Sequence, residues 1–317
     1  MDNIIYINEL GYSDGKHKFD SHRLPQAYIE FCDWYSISYE NFTTFIPTDT
    51  DILIFQTPTN NELIKLKLIL SYVNRHDIYL TQEGNIFDWF DWGAEEQSLY
   101  IEILSKCKAF LYHNEFDKKV MKAFCDSFIK YPGCTNIFAD VSKSFNFGQY
   151  VIIPNPIKRY QRGMIGHKLT SECVIDMPIY AMKYKKQSDQ SLSFPDEYKL
   201  NNITLIDRMD VTNWYTFIYN CKFGVDIHRE FSGGNCCLEF ASLASPLIGN
   251  INLDVQRDLF PDISFDYMDY DNIKKAISLL SKDVEFYEMV SKKSLNNVKT
   301  MYNSKTITDT FKKEFKT

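Results

Sequence analysis

The sequence predicts an α/β protein folded as two doubly wound parallel sheets, and three observations carry the prediction. Short apolar runs of strand length alternate with helix-like segments along the first half of the chain, as strands buried on both faces of a parallel sheet require. The 317 residues exceed what one core usually organises, so two domains are expected. Residues 226–250, DIHREFSGGNCCLEFASLASPLIGN, join a strand, a glycine turn, a short helix carrying one carboxylate, and a second strand.

Taken in order, Ile4 to Ile7 is the first strand, followed by a polar loop from Asn8 to Arg23 and a helix near Leu24 to Tyr35. Asp51 to Phe55 is a second strand with a helix near Asn61 to Tyr72. Asp77 to Leu80 is a third, then Gly93 to Cys107 a helix, Ala109 to Tyr112 a strand and Glu115 to Ile129 another helix. Val151 to Pro156 reads as the last strand of the first domain, ended by a proline-fixed turn, so the domains are drawn as 1–156 and 157–300. Further strands are expected near Val174, at Ile203 to Ile206, Phe223 to Ile227, Leu247 to Gly249 and Ile263 to Phe265, with Ser188 to Leu200 a loop. Asn272 to Val298 carries Ile273, Ile277, Leu280, Val284 and Tyr287 at helical spacing, and a final helix runs near Thr308 to Phe315.

Within residues 226–250, Ser232, Gly233, Gly234 and Asn235 break the apolar run, Asn235 is a good N-cap, Cys236 to Ala244 has helical composition and Pro246 ends it. An open helix N-terminus offers unpaired N–H groups and the positive end of the macrodipole, and glycines let a diphosphate approach that backbone. Glu239, one turn on, is placed to accept hydrogen bonds from both hydroxyls of a ribose. The plainer alternative is a crossover turn followed by a surface glutamate.

Apolar residues make up 44% and charged residues 24%, as in a soluble globular enzyme. The net charge of −7 argues against general adhesion to nucleic acid or anionic lipid, which draws on clustered Lys and Arg. The cysteines show no CxxC spacing and no secretory signal opens the chain, so a reduced, cytoplasmic protein is expected. No apolar run reaches membrane-spanning length. Asp49-Thr50-Asp51 precedes a strand and Asp269-Tyr270-Asp271 a helix, so both read as turns or caps, and no obligatory metal is expected.

The tail formed by Glu239, Ala241, Ala244, Pro246 and Ile248 resembles the donor-site segment of GT-B glycosyltransferases, with Ser245 where that family usually has glycine; VIIPNP is similar to the close of its first domain. The resemblance implies two Rossmann-like domains with a cleft between them, a helix at 301–317 packing back on the first domain, and a nucleoside diphosphate sugar as co-substrate, UDP-sugar favoured, with no obligatory cofactor. It implies Glu239 as ribose ligand, the turn of Gly233, Gly234 and Asn235 against the diphosphate, and Glu230 on a sugar hydroxyl. A diphosphate normally needs Arg or Lys from the second domain, for which Arg162 and Lys168 rank first and Arg208 next. In the first loop His17, Lys18 and Arg23 either contact donor and acceptor or form a solvated basic loop.

Glu83 stands just past the strand DIYLT, where α/β sheets place functional groups, and is the candidate general base for the acceptor hydroxyl. The same strand is similar to one in the phage DNA-base glycosyltransferases, through Tyr79, Leu80 and Glu83. Trp89 and Trp92 either stack on an acceptor or pack beneath a loop, and His113 either orients a substrate or is a buried, hydrogen-bonded histidine. The expected function is transfer of a sugar to an acceptor hydroxyl. A hydroxymethylated base in phage DNA comes first as acceptor, and a cell-envelope polysaccharide or lipid-linked glycan is the alternative. A non-catalytic nucleotide-sugar binding protein is the reading from another class. A dehydrogenase would need Gly-x-Gly-x-x-Gly after the first strand, where Asn8-Glu9-Leu10-Gly11 stands instead.

Overall fold

A computed structural model describes residues 3–9, 28–29, 34–58, 62–82, 86–154, 164–182, 202–207, 209–227 and 234–314. The chain divides into two units, one of Met1–Cys134, Phe231–Asn235 and Tyr302–Thr317, the other of Thr135–Glu230 and Cys236–Met301. Each holds one six-stranded sheet, parallel throughout.

The first sheet comprises β1 (Ile4–Asn8), β2 (Tyr35–Ser38), β3 (Ile52–Gln56), β4 (Ile78–Thr81), β5 (Ala109–Tyr112) and β6 (Phe128–Lys130), in the order β2-β1-β3-β4-β5-β6. Alternation sends Ile5, Ile7, Leu53, Phe55, Ile78, Leu80, Phe110 and Tyr112 into one buried cluster. There they meet Phe42 of α1 (Tyr39–Phe42), Leu66 and Ile69 of α2 (Glu62–Val73), Tyr100, Ile103 and Leu104 of α3 (Ala94–Lys106) and Met121 of α4 (Glu115–Met121). Residues of the opposite parity, Tyr6, Ile54, Tyr79 and Leu111, are buried too. Tyr6 stacks on Trp34 at 6.2 Å, and Trp34 belongs to a ring cluster with Tyr28, Tyr131 and Phe311.

The second sheet comprises β7 (Val151–Ile153), β8 (Ile179–Met182), β9 (Ile203–Ile206), β10 (Phe223–Asp226), β11 (Leu247–Asn250) and β12 (Ser264–Phe265), in the order β12-β11-β10-β7-β8-β9. Counted within the unit this is the 3-2-1-4-5-6 order of a Rossmann sheet, whose direction of winding reverses between β7 and β10. Helices α5 (Met164–Cys173), α6 (Val211–Asn220), α7 (Asn235–Ser242), α8 (Asp254–Leu259), α9 (Tyr270–Lys282) and α10 (Val284–Met301) accompany it. The last helix, α11 (Ser304–Glu314), belongs to the first unit and lays Phe311 against Tyr28 at 5.2 Å.

The structure differs from the sequence reading at several places. Tyr35 opens β2, where a helix was expected to end, and α4 stops at Met121 so that Phe128–Lys130 can form β6. Val151–Ile153 does not close the first sheet; it pairs with β10 and β8 at the centre of the second. Val174 follows α5, and the strand there is Ile179–Met182. The long helix expected over Asn272 to Val298 is broken at Asp283, whose carboxylate accepts the Phe286 N–H at 2.9 Å and restarts the chain as α10. Helix α7 ends at Ser242, and the left-handed residue that follows is Ala244 (φ 56), one place before Ser245.

Candidate functional site

At a switch point, ligands bind beyond the carboxyl ends of the strands that flank it. In the second unit those are the ends of β7 and β10, and β10 closes on the buried Asp226. Gly234, with φ 78, then leads into α7, whose first residue is Asn235, one place later than a cap. The helix lies hard against β10: a Cβ on Gly224 would overlap the Phe240 ring and Leu247.

Glu239 sits in the second turn of α7, only 5% exposed. Its Oε2 accepts the indole Nε1–H of Trp214 at 2.8 Å, while its Oε1 is buried with no hydrogen-bond partner among the described residues. Burial pushes the carboxyl up to about 7, against the opposing pull of the Trp214 hydrogen bond. A buried acceptor left unmatched costs about 1–3 kcal/mol. Trp214 stands in the first turns of α6, which follows β9, and was not singled out by the sequence; the one local signal is the Asp210 N-cap that fixes where α6 begins.

At the carboxyl ends of β1, β3, β4 and β5 stand buried neutral polar residues: Asn8, Gln56 and Thr57, Thr81 and Gln82, His113 and Asn114; β2 ends on the half-buried Ser38 and β6 on the exposed Lys130. Thr57 Oγ1 meets Tyr100 Oη at 2.9 Å and donates to the Thr81 carbonyl at 3.1 Å. His113 lies between two carbonyl oxygens, Nε2 at 2.8 Å from that of Gln82 and Nδ1 at 3.1 Å from that of Tyr131. Burial lowers its pKa, and a neutral imidazole has one N–H for the two acceptors. Thr81 Oγ1 and Asn114 Nδ2 are buried with no partner among the described residues. Near this rim Lys65 is ion-paired with Glu9 and lies over the Tyr39 ring at 5.2 Å.

Among the predicted site residues, Glu239, Gly234 and Asn235 fall on one helix start. Lys168 is exposed on α5 and paired with Glu172 at 2.6 Å, a carboxylate that also takes Lys274 at 2.9 Å. Trp89 is no stacking platform; at 2% exposure it packs edge-on to Tyr100 and Phe124 in the core. Trp92 leans on the same core, 5.5 Å from Tyr100, because the short helical turn Asp88–Asp91 folds both indoles inward. His113 takes the buried, hydrogen-bonded form of its two readings. Glu83, Gly233, Glu230, Arg162, Arg208, His17, Lys18 and Arg23 lie outside the described residues. Among the described residues there is no group of three or more His, Cys, Asp or Glu placed to hold a metal ion, and no helix long and apolar enough to cross a membrane. Asp51 accepts the Thr48 N–H at 2.7 Å and Asp269 accepts Asn272 Nδ2 at 2.9 Å, both local contacts.

Two Rossmann-like units, each with a six-stranded parallel sheet, define the GT-B fold. No family model matches the chain, and no curated protein matches it in sequence. Among solved structures it is similar to Anabaena HepE in complex with UDP and glucose, at TM-score 0.69 and 8% identity, covering 100% of both chains. Sucrose-phosphate synthase from Thermosynechococcus elongatus gives TM-score 0.69 at 11% identity, covering 99% of this chain and 88% of that one. A Staphylococcus aureus TarM variant in complex with fondaparinux, alpha-GlcNAc-glycerol and UDP gives TM-score 0.64 at 13% identity, covering 88% of this chain. The chain spans 58% of the length of that TarM chain.

Proposed function

We propose that the protein is a glycosyltransferase that moves a sugar from a UDP-sugar to a hydroxyl of a glycan acceptor. The observation that carries this is the unpartnered Oε1 of the buried Glu239, set behind a glycine-led helix start at the switch point of a Rossmann sheet within a GT-B fold. A ribose hydroxyl supplies the donor this oxygen lacks, and the helix start suits the diphosphate. In the transfer the acceptor oxygen bonds to the sugar carbon, the bond from that carbon to the diphosphate breaks, and the acceptor proton passes to a base. The helix dipole favours the negative charge that gathers on the departing diphosphate.

The first-sheet rim favours a cell-envelope polysaccharide or lipid-linked glycan over a base in DNA as acceptor. At the ends of β1, β3, β4 and β5 its described residues are amides, hydroxyls and one imidazole, suited to neutral hydroxyl groups; nearby Lys65 is paired with Glu9, and Lys130 at the end of β6 is the other described cation there. A DNA acceptor would need clustered Lys and Arg on its phosphates. The neighbours solved with UDP, glucose or alpha-GlcNAc-glycerol support the same reading.

Calorimetric titration with UDP and UDP-glucose tests it. Binding is expected, and Glu239→Gln is expected to weaken it by roughly tenfold or more, the loss of a hydrogen bond to a charged group. Absence of UDP binding, or a Glu239→Gln variant that binds as tightly as the parent, overturns the proposal.

A further inference from the structure

Resting on that reading of Glu239, we propose that Trp214 is the positioning residue of the donor site: its indole N–H pins one oxygen of the Glu239 carboxylate and so turns the other toward the ribose hydroxyls, making the site selective for ribo- over 2′-deoxyribonucleotides. The two side chains come from different helices, α6 after β9 and α7 after β10, and meet near the same carboxyl edge of the sheet. An indole only donates, so it orients the carboxylate without competing for the ribose hydroxyls. Both side chains are buried, so the 2.8 Å bond is shielded from water and the carboxyl plane is held. With that plane fixed, the unpartnered Oε1 is a preset acceptor, and losing a single hydroxyl from the pentose leaves it orphaned again.

Burial dominates the protonation of the site, and the contact works against it. A ribose hydroxyl donates best to the ionised carboxylate, and the Trp214 hydrogen bond favours that form against burial. The described titratable groups around Glu239 are the thiols of Cys236 and Cys237, on the same helix and held protonated by burial, with Asp226 at the end of β10 acting on both thiols and Cys221 acting on Cys236. Helix α6 contributes Trp214, which does not titrate.

The test measures dissociation constants for UDP and 2′-deoxy-UDP from pH 5.5 to 8.5 in the parent protein, in Trp214→Phe and in Glu239→Gln. A fourth protein carries benzothienylalanine at position 214, which keeps the indole outline and replaces N–H by sulfur, so it reports on the hydrogen bond even where Trp214→Phe fails to fold. The parent is expected to bind UDP more tightly than 2′-deoxy-UDP, and to lose that preference as pH falls through about 7. Removing the indole N–H is expected to move this inflection to higher pH and to reduce the preference by about tenfold. If Glu239→Gln weakens UDP binding while both position-214 variants keep the parental inflection and preference, this inference is overturned and the ribose role of Glu239 stands. If Glu239→Gln binds UDP as the parent does, the ribose role itself fails and the inference falls with it.

Discussion

The amide of Ser245 donates to the carbonyl of Phe240 at 2.9 Å, and with the Ala244 amide on the Ala241 carbonyl at 3.0 Å it closes α7 as a Schellman motif. The closure puts Ala244 at φ 56, a conformation that costs a residue with a Cβ about 1–2 kcal/mol and glycine nothing.

Two identical substitutions on this helix should therefore differ. Ala241→Gly, inside the helix and fully buried, is expected to cost about 2 kcal/mol, from helix propensity and one lost buried methyl. Ala244→Gly loses the same methyl and adds freedom to the unfolded chain, but it releases the left-handed strain, so it should fall within about 1 kcal/mol of the parent. Urea unfolding of the two variants checks this; equal losses would remove the strain argument.

Lys143 is buried, with its ammonium on the carbonyls of Ile218 at 3.2 Å and Cys221 at 3.3 Å and on the Ser245 hydroxyl. Burial lowers its pKa to about 8, below the unfolded value of 10.5. Between those values the unfolded chain binds more protons than the folded one, so this group's contribution to stability grows as pH rises and is lost as pH falls through about 8. Between pH 7.5 and 9.5 the parent should gain about 2 kcal/mol relative to Lys143→Met. The comparison is made in a Cys221→Ser background, because that thiol lies close enough to influence the lysine. A pH-independent difference would contradict it.

Phe311 fills the ring cluster of the first unit, 5.4 Å from Trp34 and 5.8 Å from Tyr131. Phe311→Ala should cost about 3–5 kcal/mol and make the amides of α11 exchange with solvent sooner than those of α10. Unchanged exchange in α11 would show that the ring does not anchor the helix.

Trp89, enclosed by Tyr100, Phe124 and Phe90, should behave as a core residue. Trp89→Ala is expected to lower stability by about 3–5 kcal/mol, while Trp89→Phe, better tolerated, leaves the acceptor KM of the proposed reaction unchanged. A rise in that KM in the Phe variant would return Trp89 to the acceptor side.

Much of the fold was legible because continuous apolar runs mark doubly buried strands: Ala109–Tyr112, buried at every position, coincides with its predicted bounds, and the edge strand Ile203–Ile206 does so too. The misses have local causes. Tyr35–Ser38 alternates apolar residues with serines directly after a segment of helical composition, and Lys122 to Cys125 prolongs helical composition past the turn before β6. Which sheet Val151–Ile153 joins is decided by partners far along the chain, so no neighbouring residue announces it. In the site, the helix start and Glu239 could be read from the glycine turn, whereas Trp214 is 25 residues from Glu239 and becomes its partner only when α6 and α7 pack.

The placement of α11 in the first unit bears on how the protein is made. During translation every segment of the second unit, which closes at Met301, leaves the ribosome before Phe311 does. The second unit can thus condense around its own sheet while Tyr28, Trp34 and Tyr131 still await their last ring, leaving sticky aromatic surface on the older half of the nascent chain for chaperones to shield.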